Sequence, residues 1–186
     1  MRKIILNLAV SLDGFIEGPN GEIDWCLTDQ DYGMEAFFES TDSIFMGRKC
    51  YDMIDGLPSP FADKQIYVFT DSPFIIPNPR IIVISSKNFL KDIQTIREVP
   101  GKNIWLFGGA TLLSSFIKHR LIGEFIISVH PVVLGGGKPL FFDIHDKLDL
   151  LLLGSETFSS GLIQLKYAIK PKFDFSILDQ QLKSLN

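Results

Sequence analysis

The sequence predicts an α/β domain: a mostly parallel, mixed sheet with helices on both faces and an antiparallel hairpin near the C-terminal end. Three observations carry this. Short apolar runs, among them Ile4–Val10, Gln65–Thr70 and Ile104–Phe107, have the length and near-continuous hydrophobicity of strands buried on both faces. Between such runs lie segments with apolar residues at helical spacing, as in Ile93 and Ile96 or Leu112, Leu113, Phe116 and Ile117. Finally, Leu150–Phe158 and Leu162–Lys170 are strand-like runs joined by Ser159-Ser160-Gly161, a connection that suits an antiparallel return.

Composition bounds the function. A chain of 186 residues with 46% hydrophobic and 22% charged content can bury one sizeable core and is not disordered. The division expected is one domain over residues 1–171 and a polar tail over 172–186. A formal net charge of -4 argues against nucleic acid or an anionic membrane surface as the main partner. Cys26 and Cys50 have no paired spacing and are too few for a disulfide framework, so both read as filler thiols of a cytoplasmic protein. No run of about 18 apolar residues exists to span a membrane. Met1-Arg-Lys-Ile-Ile-Leu6 passes straight into Ser11-Leu-Asp-Gly14 and reads as a first strand, not a signal peptide.

In chain order, Lys3–Ser11 is the first strand. Asp13-Gly14 and Gly18-Pro-Asn-Gly21 are turns around a short extended piece, Phe15–Glu17. Met34, Phe37 and Phe38 space as a helix. Ser43–Met46 is a strand running into a helix that opens at Gly47-Arg48-Lys49-Cys50 and reaches Ile54. Gly56–Asp63 is a proline-bearing loop. Gln65–Thr70 is closed by Asp71-Ser72-Pro73, and Arg80–Ile84 is the next strand. Asn88 is placed to cap the helix carrying Phe89, Leu90, Ile93 and Ile96, which Pro100-Gly101 ends. Ile104–Phe107 then meets Gly108-Gly109, and a helix follows at once. Glu124–Leu134 reads as a long strand interrupted at His130-Pro131, followed by Gly135-Gly-Gly137. This strand and the segment Phe141–Phe158 carry more apolar residues than one face needs, which predicts a twofold homodimer.

In open α/β sheets ligands sit beyond the carboxyl ends of the strands. Three loops belong there. Gly108-Gly109-Ala110-Thr111 lets the backbone approach a ligand closely and presents a helix N-terminus, which suits a phosphate. Gly47-Arg48-Lys49-Cys50 sets two cations at a helix start, where they fail to offset the dipole unless an anion binds. Thr70-Asp71-Ser72 offers groups for phosphate or ribose, or simply a turn. Other motifs fail. Gly137-Lys138 is followed by Pro139, where a phosphate-binding P-loop needs Ser or Thr. His119, His130 and His145 share no metal-ligand spacing and read as surface or structural residues.

Taken together, Ser11-Leu-Asp-Gly-Phe-Ile16, Met46-Gly-Arg48, Phe107-Gly-Gly-Ala110 and Gly135-Gly-Gly-Lys-Pro-Leu140 resemble, in order, motifs of the dihydrofolate reductase-like superfamily. The similarity is closest to the C-terminal reductase domain of bacterial riboflavin biosynthesis, the bifunctional deaminase-reductase. It runs from about residue 3 to residue 170. The resemblance implies the dihydrofolate reductase-like three-layer fold, NADPH as hydride donor, and a small pyrimidine or pteridine substrate. Carried over position by position, Gly47, Arg48, Lys49 and Cys50 would face the pyrophosphate and 2′-phosphate. Thr70, Asp71 and Ser72 would flank the adenosine, Gly108, Gly109, Ala110 and Thr111 would hold the pyrophosphate, and Ala9 would lie by the nicotinamide.

Two departures from the family pattern leave the substrate open. Phe107 stands where the riboflavin-pathway reductases usually carry an acidic residue before the double glycine. No carboxylate in the first main helix region fits the dihydrofolate reductase spacing cleanly; Asp29, Asp31 and Glu35 compete there. The proton donor is expected among Asp13, Asp24 and Asp31, and Trp25 is either core or a wall of the substrate pocket. Arg48 and Lys49 favour NADPH over NADH, while Asp71 would repel a 2′-phosphate and narrow that margin. Two alternatives stand beside this expectation: a reductase of an unrelated small imine or carbonyl, and a non-catalytic nucleotide-binding protein on the same fold.

Overall fold

The computed structural model describes residues 1–54, 58–73 and 78–171. In chain order the elements are β1 (Ile4–Ser11), β2 (Phe15–Glu17), α1 (Met34–Glu39), β3 (Thr41–Gly47), α2 (Arg48–Asp52), β4 (Gln65–Phe69) and β5 (Ile81–Ile84). They continue as α3 (Phe89–Glu98), β6 (Asn103–Gly108), α4 (Ala110–Lys118), β7 (Glu124–His130), β8 (Lys138–Pro139), β9 (Leu150–Thr157) and β10 (Ile163–Ile169). Eight of the strands form one sheet in the order β5-β4-β3-β6-β1-β7-β10-β9. The pairings from β5 to β7 are parallel, and β10 and β9 close the sheet as an antiparallel hairpin. This is the α/β fold class expected, and the three strands singled out as interior are interior: β1, β4 and β6 each have a neighbour on both sides.

Side-chain alternation along each strand sorts the apolar residues onto two faces. One face carries Ile4, Leu6, Phe45, Leu106, Phe125 and Ile127, covered by Ile93 and Ile96 of α3 and Leu113 and Phe116 of α4. The other carries Ile5, Ile44, Met46, Ile66, Val68, Trp105 and Ile126, covered by Phe37 of α1 and by Phe61, with Cys50 and Tyr51 of α2 at its margin. Phe116 is fully buried and touches Phe45, Phe69 and Phe89 edge-on or tilted. Truncating it to Ala would cost about 3–5 kcal/mol, since so large a void could not close.

The structure shortens or adds to the expected elements for local reasons. β7 stops at His130 and not at Leu134, because Pro131 has no N–H for the ladder. It is also an interior strand, between β1 and β10, so burial alone accounts for its apolar surplus. Asn88 occupies the N-cap position of α3 but its side chain makes no capping bond; Ser85 caps a short 3-10 turn over Ser86–Asn88, accepting from the Lys87 N–H, and α3 continues from it. The region after β7 forms β8, which pairs antiparallel with β2 to make a small flap beside the main sheet. Asp13 locks that flap: its carboxylate accepts from the N–H groups of Leu134 (3.1 Å) and Gly135 (2.8 Å). The 172–186 tail and parts of the two proline loops lie outside the described residues.

Candidate active site

The carboxyl ends of β1, β3, β4, β6 and β7 open into one cavity of about 870 Å³, of the size that holds small molecules and cofactors. It gathers the three loops singled out above. Gly47, Arg48, Lys49 and Cys50, Thr70 and Asp71, Gly108, Gly109, Ala110 and Thr111, and also Ala9, all line it. Ser72 does not; its N–H donates to Thr70 Oγ1 and closes the turn instead.

The glycine wall has a clear local origin. Gly108 and Gly109 take φ values of 142° and 90°, a region that side chains other than glycine rarely adopt. They turn β6 directly into α4, whose first residues lack a side-chain cap. A Cβ at Gly108 would meet nothing within 4 Å, and one at Gly47 would have the Gly108 carbonyl oxygen as its near neighbour at 3.8 Å. The Gly47 and Gly108-Gly109 backbones therefore pack close together, beside the start of a nine-residue helix whose first N–H groups take no side-chain cap from Gly109. That is a cradle a pyrophosphate fits. α2, by contrast, is only five residues long, so its end contributes little field and its cations matter more.

Two charged groups near this wall, Arg48 and Asp71, are already engaged. Arg48 Nε donates to both carboxylate oxygens of Asp52, at 2.7 and 2.8 Å. Asp71 Oδ1 accepts from the Ser86 N–H at 2.8 Å, tying the end of β4 to the turn after β5. Hydrogen bonds from Ser86 and then Ser85 hold the Asp71 carboxyl below its ordinary pKa, so it is fixed as an anion on the cavity wall. Burial pushes the Cys50 thiol up, and the nearby Glu17 carboxylate adds to this, so Cys50 is a neutral thiol.

The three carboxylates expected to donate a proton are not brought to the cavity. Asp13 binds the flap, and the Ser11 hydroxyl followed by the Gly135 and Leu134 N–H groups holds it below the usual carboxylate range. Asp31 caps α1, accepting from the Glu35 N–H at 2.8 Å. Asp24 is exposed, and none of the three lines the cavity. Trp25 also stays out of the lining; its indole N–H donates to the Glu22 carbonyl and its ring packs edge-on against His130, centroids 5.4 Å apart.

The wall contains groups that motif reading missed: Asn7, Glu17, Ser128, His130 and Lys138. Glu17 and Lys138 arrive on the β2–β8 flap. Asn7, Ser128 and His130 belong to one face of the main sheet, because Ala9 pairs with Ser128 and Ser11 with His130 in the parallel β1–β7 register. A signal for them existed. In Phe125-Ile-Ile-Ser-Val-His130 the polar residues fall two apart within an apolar strand, so both point the same way.

Comparison with known proteins sets this geometry in context. Residues 77–164 match the RibD C-terminal domain family. The chain is 43% identical over 179 residues to the uncharacterized protein YyaP of Bacillus subtilis, spanning 89% of this chain and 94% of that one. A solved protein from Shewanella sp. PV-4, provisionally named for riboflavin biosynthesis, superposes with a TM-score of 0.75 at 27% identity, covering 92% of this chain and all of that one. Dihydrofolate reductase from Enterococcus faecalis, solved with NADP(H), superposes with a TM-score of 0.67 at 15% identity, covering 91% and 97%, and so shares the fold.

Proposed function

We propose, from the premise that the chain belongs to the RibD C-terminal domain family within the dihydrofolate reductase-like superfamily, that it is an NADPH-dependent reductase of a small pyrimidine or pteridine. The observation that carries this reading is the convergence of three separate strand-end loops and Ala9 on one cavity. Gly108, Gly109 and the start of α4 would hold the pyrophosphate through backbone N–H groups. Arg48 and Lys49 would face the 2′-phosphate, and Thr70 and Asp71 the adenosine ribose. Bound NADPH would supply the hydride. The chain's task is then to hold a flat substrate against the β1–β7 side of the cavity, where Ala9 leaves room for a ring. The apolar lining there, including Leu27, Met34, Trp105 and Phe107, excludes water from the reacting faces.

The test is direct. NADPH is titrated by fluorescence, and its oxidation is followed with dihydrofolate and with the ribosylaminopyrimidine of riboflavin synthesis. Saturable NADPH binding with turnover of either supports the reading. Binding with no turnover on any C=N substrate leaves a nucleotide-binding protein on the same fold. A cytoplasmic twofold dimer completes the proposal. Leu151, Leu152 and Leu153 on the edge strand β9 are each about half exposed, and Phe141 and Phe142 are exposed as well. Sedimentation at micromolar concentration should give twice the 21.0 kDa chain mass, and a value near 21.0 kDa removes the dimer.

A further inference from the structure

The β2–β8 flap carries a carboxylate that the rest of the protein leaves unmatched. Glu17 is half-buried and lines the cavity, yet its side chain makes no hydrogen bond or ion pair among the described residues. A carboxylate so placed carries a desolvation cost that nothing in the chain offsets. Lys138 stands opposite it in the β2–β8 register, where opposite charges ordinarily pair. The Lys138 ammonium lies instead 4.5 Å from the centre of the Phe142 ring. Backbone packing fixes the place of Glu17. A Cβ at Gly137, where φ is 133°, would collide with the Glu17 carbonyl oxygen, so glycine is what lets the start of β8 close onto β2. Glu17 also has a defined position along the cavity. On one side β2 packs on β1, the strand that carries Ala9. On the other is Cys50, whose thiol feels the Glu17 charge and whose Sγ lies 3.7 Å from where a Cβ on Gly109 would stand. Glu17 is thus set between Ala9 and the Gly109 cradle, on the flap side.

We propose that Glu17 holds the nicotinamide ribose of the cofactor, its carboxylate accepting from the ribose hydroxyls. The inference rests on the reductase reading, which puts the pyrophosphate at Gly109 and the nicotinamide by Ala9, and it adds a positioning residue that reading leaves out. Covalent connectivity supplies the next step. In NADPH this ribose is the link between pyrophosphate and nicotinamide, so it must cross the stretch where Glu17 stands. An ionised carboxylate only accepts hydrogen bonds, and a vicinal diol offers two O–H donors to it. Acidic side chains hold ribose hydroxyls in this way in other dinucleotide sites. The cofactor's other parts suit Glu17 less well. The pyrophosphate is an anion and repels it. The nicotinamide ring would attract it only in the oxidised, cationic form. A ribose held from the flap has one rotation open to it, and this sets which face of the ring turns to the substrate.

The experiment uses the full chain and three ligands. NADPH is titrated by its fluorescence. NADP⁺ and 2′-phosphoadenosine 5′-diphosphate are titrated by calorimetry; the last has the phosphates but no nicotinamide ribose. Glu17→Ala should weaken NADPH and NADP⁺ alike, by about tenfold, and leave the diphosphate within about twofold. Glu17→Gln should lose less, because the amide keeps one acceptor oxygen. Unchanged NADPH affinity in Glu17→Ala overturns the assignment. An equal loss for the diphosphate also overturns it, since that marks general damage to the cavity. A gain for all three ligands would place the carboxylate on the pyrophosphate, and a loss confined to NADP⁺ would place it against the ring; either result removes the ribose role. The reductase reading fails in a different way. Wild-type protein that binds neither NADPH nor the diphosphate removes the cofactor site and the role of Glu17 together, whereas each of the other adverse results removes only the role of Glu17.

Discussion

The cavity has two walls made of different material. At the ends of β3 and β6 the wall is mostly backbone: glycines, a bare helix start, and a strand-to-helix turn that positive φ values make possible. At the ends of β1 and β7 it is side chains: Asn7, Ser128 and His130 set into an apolar face by strand alternation. A wall of backbone can hold any ligand with phosphates, because N–H groups carry no information about what else is attached. A wall of side chains can be rewritten one residue at a time. The first suits a shared cofactor and the second a particular substrate, so perturbations of the two should separate cleanly.

The largest effect is expected on the backbone wall. Gly109→Val asks a β-branched residue to hold φ near 90°, beside Cys50 Sγ, which the new Cβ would approach to 3.7 Å. The strain, roughly 1–3 kcal/mol, is relieved by moving the turn that presents the α4 N–H groups. NADPH affinity should fall at least about tenfold, while dihydrofolate binding at the other wall holds. Parallel titrations of the two ligands check this. A loss shared equally by both would mean that the walls are one coupled unit.

This same division decides what could be read from the sequence. Gly108 and Gly109 announce themselves at the end of β6, because few other residues permit that turn, and so they are visible in the sequence along with the alternation of strands and helices. The side-chain wall is built by register across strands far apart in the chain. Nothing local says that Ser128 will lie beside Ala9, or that Leu27 will supply a donor to His130. The same blindness affected the carboxylates. Asp13 and Asp31 stood out as chemistry-bearing residues, yet the structure spends Asp13 on the N–H groups of Leu134 and Gly135 and Asp31 on a helix start. The β2–β8 flap that brings Glu17 and Lys138 to the cavity joins two segments more than a hundred residues apart, beyond any periodicity argument.

An intermediate effect sharpens the cofactor side. Arg48 is held by Asp52, so its grip on a 2′-phosphate competes with an existing ion pair in which Nε–H is shared between both carboxylate oxygens. Arg48→Ala should weaken NADPH several-fold and NADH little. Asp52→Asn should strengthen NADPH, because it removes both the competitor and a nearby negative charge. Titrating NADPH and NADH against both variants tests the pair. Equal losses for the two cofactors in Arg48→Ala would place Arg48 on the shared pyrophosphate and undo the 2′-phosphate assignment. Asp71→Asn should widen the preference for NADPH more modestly. Its carboxylate is pinned by the Ser86 N–H and cannot swing away, but it is exposed and screened by solvent.

The smallest effect belongs to the Asp13 clamp on the β2–β8 flap, which brings Glu17 and Lys138 to the cavity. Asp13 is exposed, yet its oxygens take the Ser11 hydroxyl and the N–H groups of Leu134 and Gly135, and those bonds lower its pKa. A carboxyl with a depressed folded-state pKa contributes stability that is fully present above its unfolded value, about 3.9, and is lost as pH falls through the lower folded-state value. At neutral pH the clamp is therefore complete, and activity should show no titration from it. Asp13→Asn keeps the size of the side chain but replaces one acceptor oxygen with an NH2 group, which cannot serve both N–H donors. Hydrogen exchange at Leu134 and Gly135 should quicken in this variant at neutral pH, while NADPH affinity changes less than in Arg48→Ala. In the wild type the same two amides should lose protection only in acid, below the usual aspartate range. Unchanged exchange in Asp13→Asn would mean that β2–β8 pairing alone holds the flap. A large loss of both ligands would mean that the flap, and not the strand ends, governs the cavity.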